Sequence, residues 1–372
     1  LKQFSAEDLN QTIQNQFDTE FENIRIAVLF NAEHKKIQQL LSIDMVLATY
    51  LDSRARQQDA IVLFEHLLEI LSNASDVKPS TQQAIGRLEG KVGNAYHSLG
   101  KSHKAQQYAT SSLNILKSFD DIDGVYTAFH VLCLSNLFQG NYVQVGHVAN
   151  EAITYFQSKN LLHKYVVGLH FLAESYFMLE DFESALEVAS QMQSMEGRYP
   201  GGWHLLMAMI YDALNDFGNS EKYFEYALND WMTYDMSWGL AITQMLWGCS
   251  EIRKQNLPKA RLHFQQAFSV EVTRDSLIDM YVILTGFPAL LFAEHSTIEA
   301  VKLLSFLEHV HIPISGFVGK PITDLVRKEV QNKSRNLLSL DNYNEAWEAG
   351  KSLTFEDMIQ NIKNHFSQKT ME

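Results

Sequence analysis

Cysteine, proline and glycine are scarce in this sequence, and each scarcity excludes something. Of its 372 residues only Cys133 and Cys249 are cysteines, and they stand far apart. No disulfide framework is implied, and a reducing, cytoplasmic setting fits best. Six prolines and 18 glycines are few for a chain of many β-turns, which favours helices. No apolar run approaches the ~20 residues of a membrane span, so no membrane contact is expected. The opening LKQFSAEDLN lacks a basic flank and an apolar core, so it does not read as a signal peptide. It also lacks an initiating Met, as an excised piece of a longer protein would. Positive charge is in deficit: 44 acidic against 30 basic residues give a formal net charge of -14. Nucleic-acid affinity comes from Lys and Arg displacing counterions, so no direct nucleic-acid contact is expected.

What is present is a core-forming composition, 46% hydrophobic and 11% aromatic, in a chain long enough for a few ordinary domains or one repeat array. The chain repeats itself. The segments starting at Gly93, Leu172 and Met207 each carry a small residue, a Tyr three positions on, a turn, a second small residue and an apolar stripe. Aligned on the second small position, the copies fall at Ala60, Ala105, Val145, Ala185, Ser220, Ala260 and Ala300. Twelve residues before each stand Ala48, Gly93, Cys133, Ala173, Ala208, Gly248 and Pro288. Four residues after each come Phe64, Ala109, Ala149, Ala189, Phe224, Phe264 and Leu304. The spacing predicts helical hairpins, in which a small residue on helix A admits helix B and another on helix B answers it. Turns are expected at Leu99-Gly100, Gly140-Asn141, Glu180-Asp181 and Asn215-Asp216.

This pattern resembles the tetratricopeptide repeat, with a period nearer 40 than 34 residues. The resemblance implies an all-α superhelix of antiparallel helix pairs, an α-solenoid. Asn136 departs from it by replacing the usual aromatic, and Pro288 in GFPALLF is expected to kink or start its helix. The expected organisation is a helical lead-in over 1–40, about seven hairpins over 41–320, and capping helices over 321–372.

Motifs for chemistry are incomplete. GRLEGKV, Gly86 to Val92, is one residue short of a phosphate loop and has Val92 where a hydroxyl residue belongs. His163 with His170, and His309 with His311, lack metal-site spacing, so no metal or cofactor is expected. The two cysteines read as buried packing thiols, and no catalytic residues are assigned, so the chain is expected not to be an enzyme. Trp203 reads as core. Trp231, Trp238 and Trp247 read as packing, with a ligand or partner anchor as the alternative.

The family resemblance places groove positions around the small residue of helix A. Carried onto this sequence, these are Asn94, His97, His130, Phe138, His170, Glu174, Phe177, Met209, Asp212, Met245 and Arg253. A protein or peptide partner, or a small effector, suits that mix of side chains.

The ends resemble a more particular family. Glu22-Asn23-Ile24-Arg25 with Ala27 is similar to the junction that opens the repeat region of large bacterial signal-transduction ATPases of the STAND type. Leu340, Tyr343, Trp347, Gly350, Leu353 and Glu356 are similar to the motif that often closes such arrays. The resemblance implies a non-catalytic sensor domain of a signalling ATPase or transcription regulator. An effector in the groove would change superhelix curvature and so release or clamp an ATPase module outside this chain. A freestanding scaffold and a peptide-pheromone receptor remain as alternatives. In the tail, Tyr343 and Trp347 are expected to pair on one helix face, Gly350 to end that helix, and Ser352 or Thr354 to cap a last helix over 356–366.

Overall fold

The computed structural model describes residues 11–73, 78–195, 200–234, 236–272, 277–310 and 320–368. Among them are α-helices and one short 3-10 turn, Lys117–Phe119, with no strand. By packing they divide into two compact units, one running to Gly168 and the other beginning at Leu169.

The first unit opens with α1 (Gln11–Glu33), then the hairpins α2 (Ile37–Ser53) with α3 (Gln57–Ser72), α4 (Pro79–Ser98) with α5 (Ser102–Leu116), and α6 (Ile122–Phe138) with α7 (Tyr142–Ser158). Helix α8 (Leu162–Met178) begins in the first unit and ends in the second, where α9 (Phe182–Gln191) follows it. The second unit continues with α10 (Pro200–Ala213) and α11 (Phe217–Thr233), then α12 (Ser237–Arg253) and α13 (Leu257–Val272). After these come α14 (Leu277–Leu284), α15 (Phe287–Ala293), α16 (Thr297–His309), α17 (Lys320–Leu337), α18 (Leu340–Lys351) and α19 (Phe355–Gln368). The architecture is all-α and tetratricopeptide-like, built of paired helices.

One backbone device makes the pairs. Ala55, Gly100, Gly140, Glu180, Asn215, Gln255 and His295 all have φ between 52° and 75°. Each lies seven residues after the small position of helix A and five before that of helix B. At each the chain closes a Schellman turn, as where Gly100 donates to the His97 carbonyl at 2.8 Å and Lys101 to Tyr96 at 2.9 Å. The same pair of bonds recurs from Gln255 to Ile252 and from Asn256 to Glu251. This turn sets the twelve-residue spacing and brings the small residues face to face. Those of helix B are all buried, from Ala60 to Ala300, and those of helix A are buried except the half-buried Ala48. A methyl group on Gly93 would stand 3.2 Å from the Ala105 carbonyl oxygen and 3.4 Å from the Ala109 amide. The aromatic slots pair across the same interface, with Tyr96 stacked on Tyr108 and Tyr211 on Tyr223. Where Asn136 takes the slot, it accepts from the Gln106 amide at 2.7 Å and donates to the Leu132 carbonyl at 2.8 Å.

Pro288 starts a helix. Its ring removes an amide that has no helical partner in a first turn, and Gly286 N-caps α15 there. The seventh helix A is thereby split into α14 and α15.

The tail differs from its sequence reading at Gly350, which does not end α18. It lies inside that helix, buried against α16. A methyl group there would overlap the Lys302 carbonyl oxygen and lie 2.7 Å from Ser305 Cβ, while Ser305 donates to the Trp347 carbonyl at 2.6 Å. Tyr343 and Trp347 stack with ring centroids 5.9 Å apart. Thr354 caps α19 reciprocally, its hydroxyl accepting from the Asp357 amide while the Asp357 carboxylate accepts from the Thr354 amide. Helix α19 is then tied down by Arg261, whose guanidinium donates to Glu294 at 2.8 and 2.9 Å and to the Phe366 carbonyl at 3.2 Å.

Two outcomes check this account. An L-residue in the left-handed region costs roughly 1–2 kcal/mol, partly offset when glycine replaces it by the extra freedom of the unfolded chain. Glu180→Gly should therefore stabilise by up to about 1 kcal/mol, and Gly140→Ala should destabilise by about 1 kcal/mol, in urea unfolding. Gly350→Ala should lower stability by about 1–3 kcal/mol by overpacking against α16, and limited proteolysis should then cut first at α18 and α19.

Candidate functional site

A cavity of about 220 Å³ lies in the first unit, among α2, α3, α4 and α6. Its polar wall comes from Thr49, Asp52, Gln57, Lys91, Asn94, Thr127 and His130. Lys91 and Asn94 on α4, and Thr127 and His130 on α6, are each three residues apart, the spacing that puts two side chains on one helix face. Ala48 and Ala60, the small residues of the first hairpin, also line the space. Their short side chains leave room that larger ones would fill.

Behind the cavity wall is a charge cluster. Lys91 is 7% exposed, and its Nζ lies 3.6 Å from Asp44 Oδ2 and 3.9 Å from Met45 Sδ. Asp44 is 6% exposed, and neither carboxylate oxygen accepts a hydrogen bond among the described residues. Arg87 approaches it only to 3.6 Å, because the guanidinium is committed to Asp121 at 2.6 and 3.0 Å. Burial opposes the charged form of Asp121, but hydrogen bonds from Arg87 and Gln83 outweigh it and hold that carboxyl below its usual range. Asp121 also caps α6 through the Gly124 amide at 3.1 Å.

The groove residues expected from sequence fall into two groups. In the first unit, Asn94 and His130 line the same cavity, while His97 meets Phe138 edge-on at 5.0 Å. Burial, reinforced by the neighbouring His130, pushes His97 down to about 4. In the second unit, His170 lies 3.2 Å from the buried Glu174. Arg253 is paired with the buried Asp212 carboxylate, and donates to the Asp212 carbonyl at 2.8 Å and Asn215 Oδ1 at 2.7 Å. It thereby ties the end of α12 to the turn after α10. Burial raises the Asp212 carboxyl despite that partner. Phe177, Met209 and Met245 are fully buried and present no surface. Lys91, Gln57 and Asp52 were not among the expected residues. Two of them belong to the first hairpin, whose register against α4 is set by packing.

The other candidates resolve as packing. Trp203 and Trp231 are buried, donating to the Ala189 carbonyl and the Thr243 hydroxyl. Trp247 stacks between Phe224 and His263, and Trp238 meets Trp231 edge-on at 6.4 Å. Cys133 and Cys249 are buried thiols, and burial pushes the Cys249 thiol up. Gly86 to Val92 lies within α4. Among the described residues no group of three His, Cys, Asp or Glu side chains could hold a metal ion, and His311 lies outside them. No helix among them is long and apolar enough to cross a membrane.

No protein-family model matches the chain, and no curated protein is similar to it in sequence. Solved structures are similar in fold. The apo form of RapI superposes with a TM-score of 0.50 at 13% identity, over 78% of this chain and 96% of its own. A Rap protein complexed with Competence and Sporulation Factor gives a TM-score of 0.50 at 11% identity, over 86% of this chain and 82% of its own. These likenesses show a shared tetratricopeptide-like fold.

His97 and His263 are both pushed down by burial to about 4 from an ordinary 6.5. Between those values the unfolded chain binds protons that the folded chain refuses. The stability tied to each is complete above pH 6.5 and is lost on acidification toward pH 4, at a cost of up to about 3 kcal/mol apiece. His97→Phe should flatten the fall in urea-unfolding stability over that window.

Proposed function

We propose that this chain is a non-catalytic receptor for short peptides, read out through a regulated partner. The observation that carries the reading is the first-unit cavity, where Gln57, Asn94, Lys91 and His130 offer hydrogen-bonding groups above the small residues of the first hairpin. An extended peptide presents a main-chain amide and carbonyl at every residue, and convergent amide and hydroxyl side chains suit it better than they suit a smooth apolar ligand. The fold likeness supports the same reading, since one of the similar structures is a Rap protein with Competence and Sporulation Factor bound. A helical-hairpin array can pass on occupancy by a small change in the angle between hairpins, provided the ligand favours one arrangement.

The sensor of a signalling ATPase is the second reading, and it rests on the end motifs. Glu22 to Arg25 lies within the single helix α1, with Ile24 buried and Arg25 paired to Glu22 at the surface. In the tail motif Tyr343, Trp347 and Gly350 dock α18 on α16, while Leu340 and Glu356 are exposed. The packed positions of both runs have a structural explanation, so they support the ATPase reading less than the cavity supports a peptide receptor.

The test is affinity selection of a randomised short-peptide pool on the full chain, followed by calorimetry with the enriched sequences. Micromolar or tighter binding is expected, weakened about tenfold by Asn94→Ala or His130→Ala, the loss typical of one or two hydrogen bonds. A chain that enriches no peptide but captures a folded protein domain would be a scaffold, and the receptor reading would fail.

A further inference from the structure

The least satisfied charged group facing the cavity is Lys91. Its ammonium has three donors, and no oxygen lies within hydrogen-bond distance of them among the described residues. Asp44, at 3.6 Å, supplies Coulombic attraction without a hydrogen bond. Met45 Sδ at 3.9 Å is a weak acceptor. Arg87, the other cation in the cluster, forks onto Asp121 through Nε and Nη2, while its Nη1 lies 3.6 Å from Asp44. Asp44 does not line the cavity, whereas Lys91 does. A buried ion pair that lacks hydrogen bonds is an expensive arrangement unless something completes it.

The geometry points to a carboxylate of the ligand as the group that completes it. We infer that this cavity is the subsite for a carboxylate-bearing end or side chain of the peptide, held on Lys91 Nζ with Asn94 and Gln57 beside it. Volume favours an end group. About 220 Å³ is below the roughly 300–1,000 Å³ of pockets that enclose a drug-sized ligand, so the space takes one or two residues and the remainder of the peptide lies outside. Charge also decides. A carbonyl oxygen would accept one donor, but a carboxylate offers two oxygens and a full charge, and bonds between charged groups are about twice as strong as neutral ones. Asp52, the acid that lines the cavity, is exposed, already accepts from Gln57 Nε2 at 3.5 Å, and is screened by water in a way that buried Lys91 is not.

This inference rests on the peptide reading of the same cavity, and its test does not need the natural ligand. Met45 lines the cavity beside Lys91, so its methyl group, assigned through Met45→Leu, reports occupancy in a methyl NMR titration of the full chain. The probes are N-acetyl-alanyl-alanine, its C-terminal amide, and the N-methylamide of N-acetyl-aspartate. One or both acids should shift the Met45 signal, with the amide about tenfold weaker or more, the factor expected for loss of a charged hydrogen bond. Response to the first acid assigns an α-carboxylate, and response to the aspartate derivative assigns a side chain. Lys91→Met alone leaves Asp44 with only Arg87 Nη1, at 3.6 Å, so the deciding variant is the paired Lys91→Met with Asp44→Asn. That variant should keep its melting temperature and lose the acid response. Equal shifts with acid and amide, no shift with any probe, or an undiminished acid response in the paired variant would each overturn the inference. If selected peptides bind but tolerate amidation and neutralised acids, the subsite fails and the receptor stands. If the acid probes bind and no peptide is ever enriched, the reverse holds.

Discussion

The seven hairpins depend on a left-handed residue held at a fixed place between two helices. From Ala55 to His295 the turn residue sits at the same distance from both small positions. The Schellman bonds therefore reverse the chain with helix B already in register with helix A. Register decides which residues meet, and the residues that meet are small, so the backbones approach closely and the aromatic slots stack beside them. Only two of the seven turns use glycine. The others carry strained L-residues, which shows that packing on either side determines the turn more strongly than the residue's own preference does.

Against that uniform scheme, two of the charged clusters have opposite characters. In the second unit, Arg261, Glu294 and the Phe366 carbonyl saturate one another and fasten the last helix. In the first unit, Arg87 forks onto Asp121, but Lys91 and Asp44 stand 3.6 Å apart next to an open space. The first arrangement is what a structural contact looks like. The second carries a desolvation cost that no oxygen–nitrogen hydrogen bond among the described residues offsets.

The hairpins were legible in the sequence because small residues recur where two backbones touch, and that requirement survives any change in the surrounding side chains. Pro288 was legible as a disruption, and the structure chose between a kink and a start. Gly350 was misread, because a glycine late in a helix looks like a terminus when the crowding that selects it comes from α16, about fifty residues earlier. The cavity was only half legible. Asn94 and His130 followed from the family resemblance, but Phe177, Met209 and Met245 at comparable positions turn inward. Lys91 sat inside a failed phosphate-loop motif, and its importance arises from Asp44 and Met45 of a different helix.

The fixed turn also decides where this chain tolerates a change of length. Copies are separated by 45, 40, 40, 35, 40 and 40 residues, yet the twelve-residue spacing of paired small positions never varies. All the length variation falls in helices and in the joints that lead from one hairpin to the next. The array therefore has rigid clasps and adjustable links, and insertions, tags or new binding loops belong in the links, where they leave every clasp in phase.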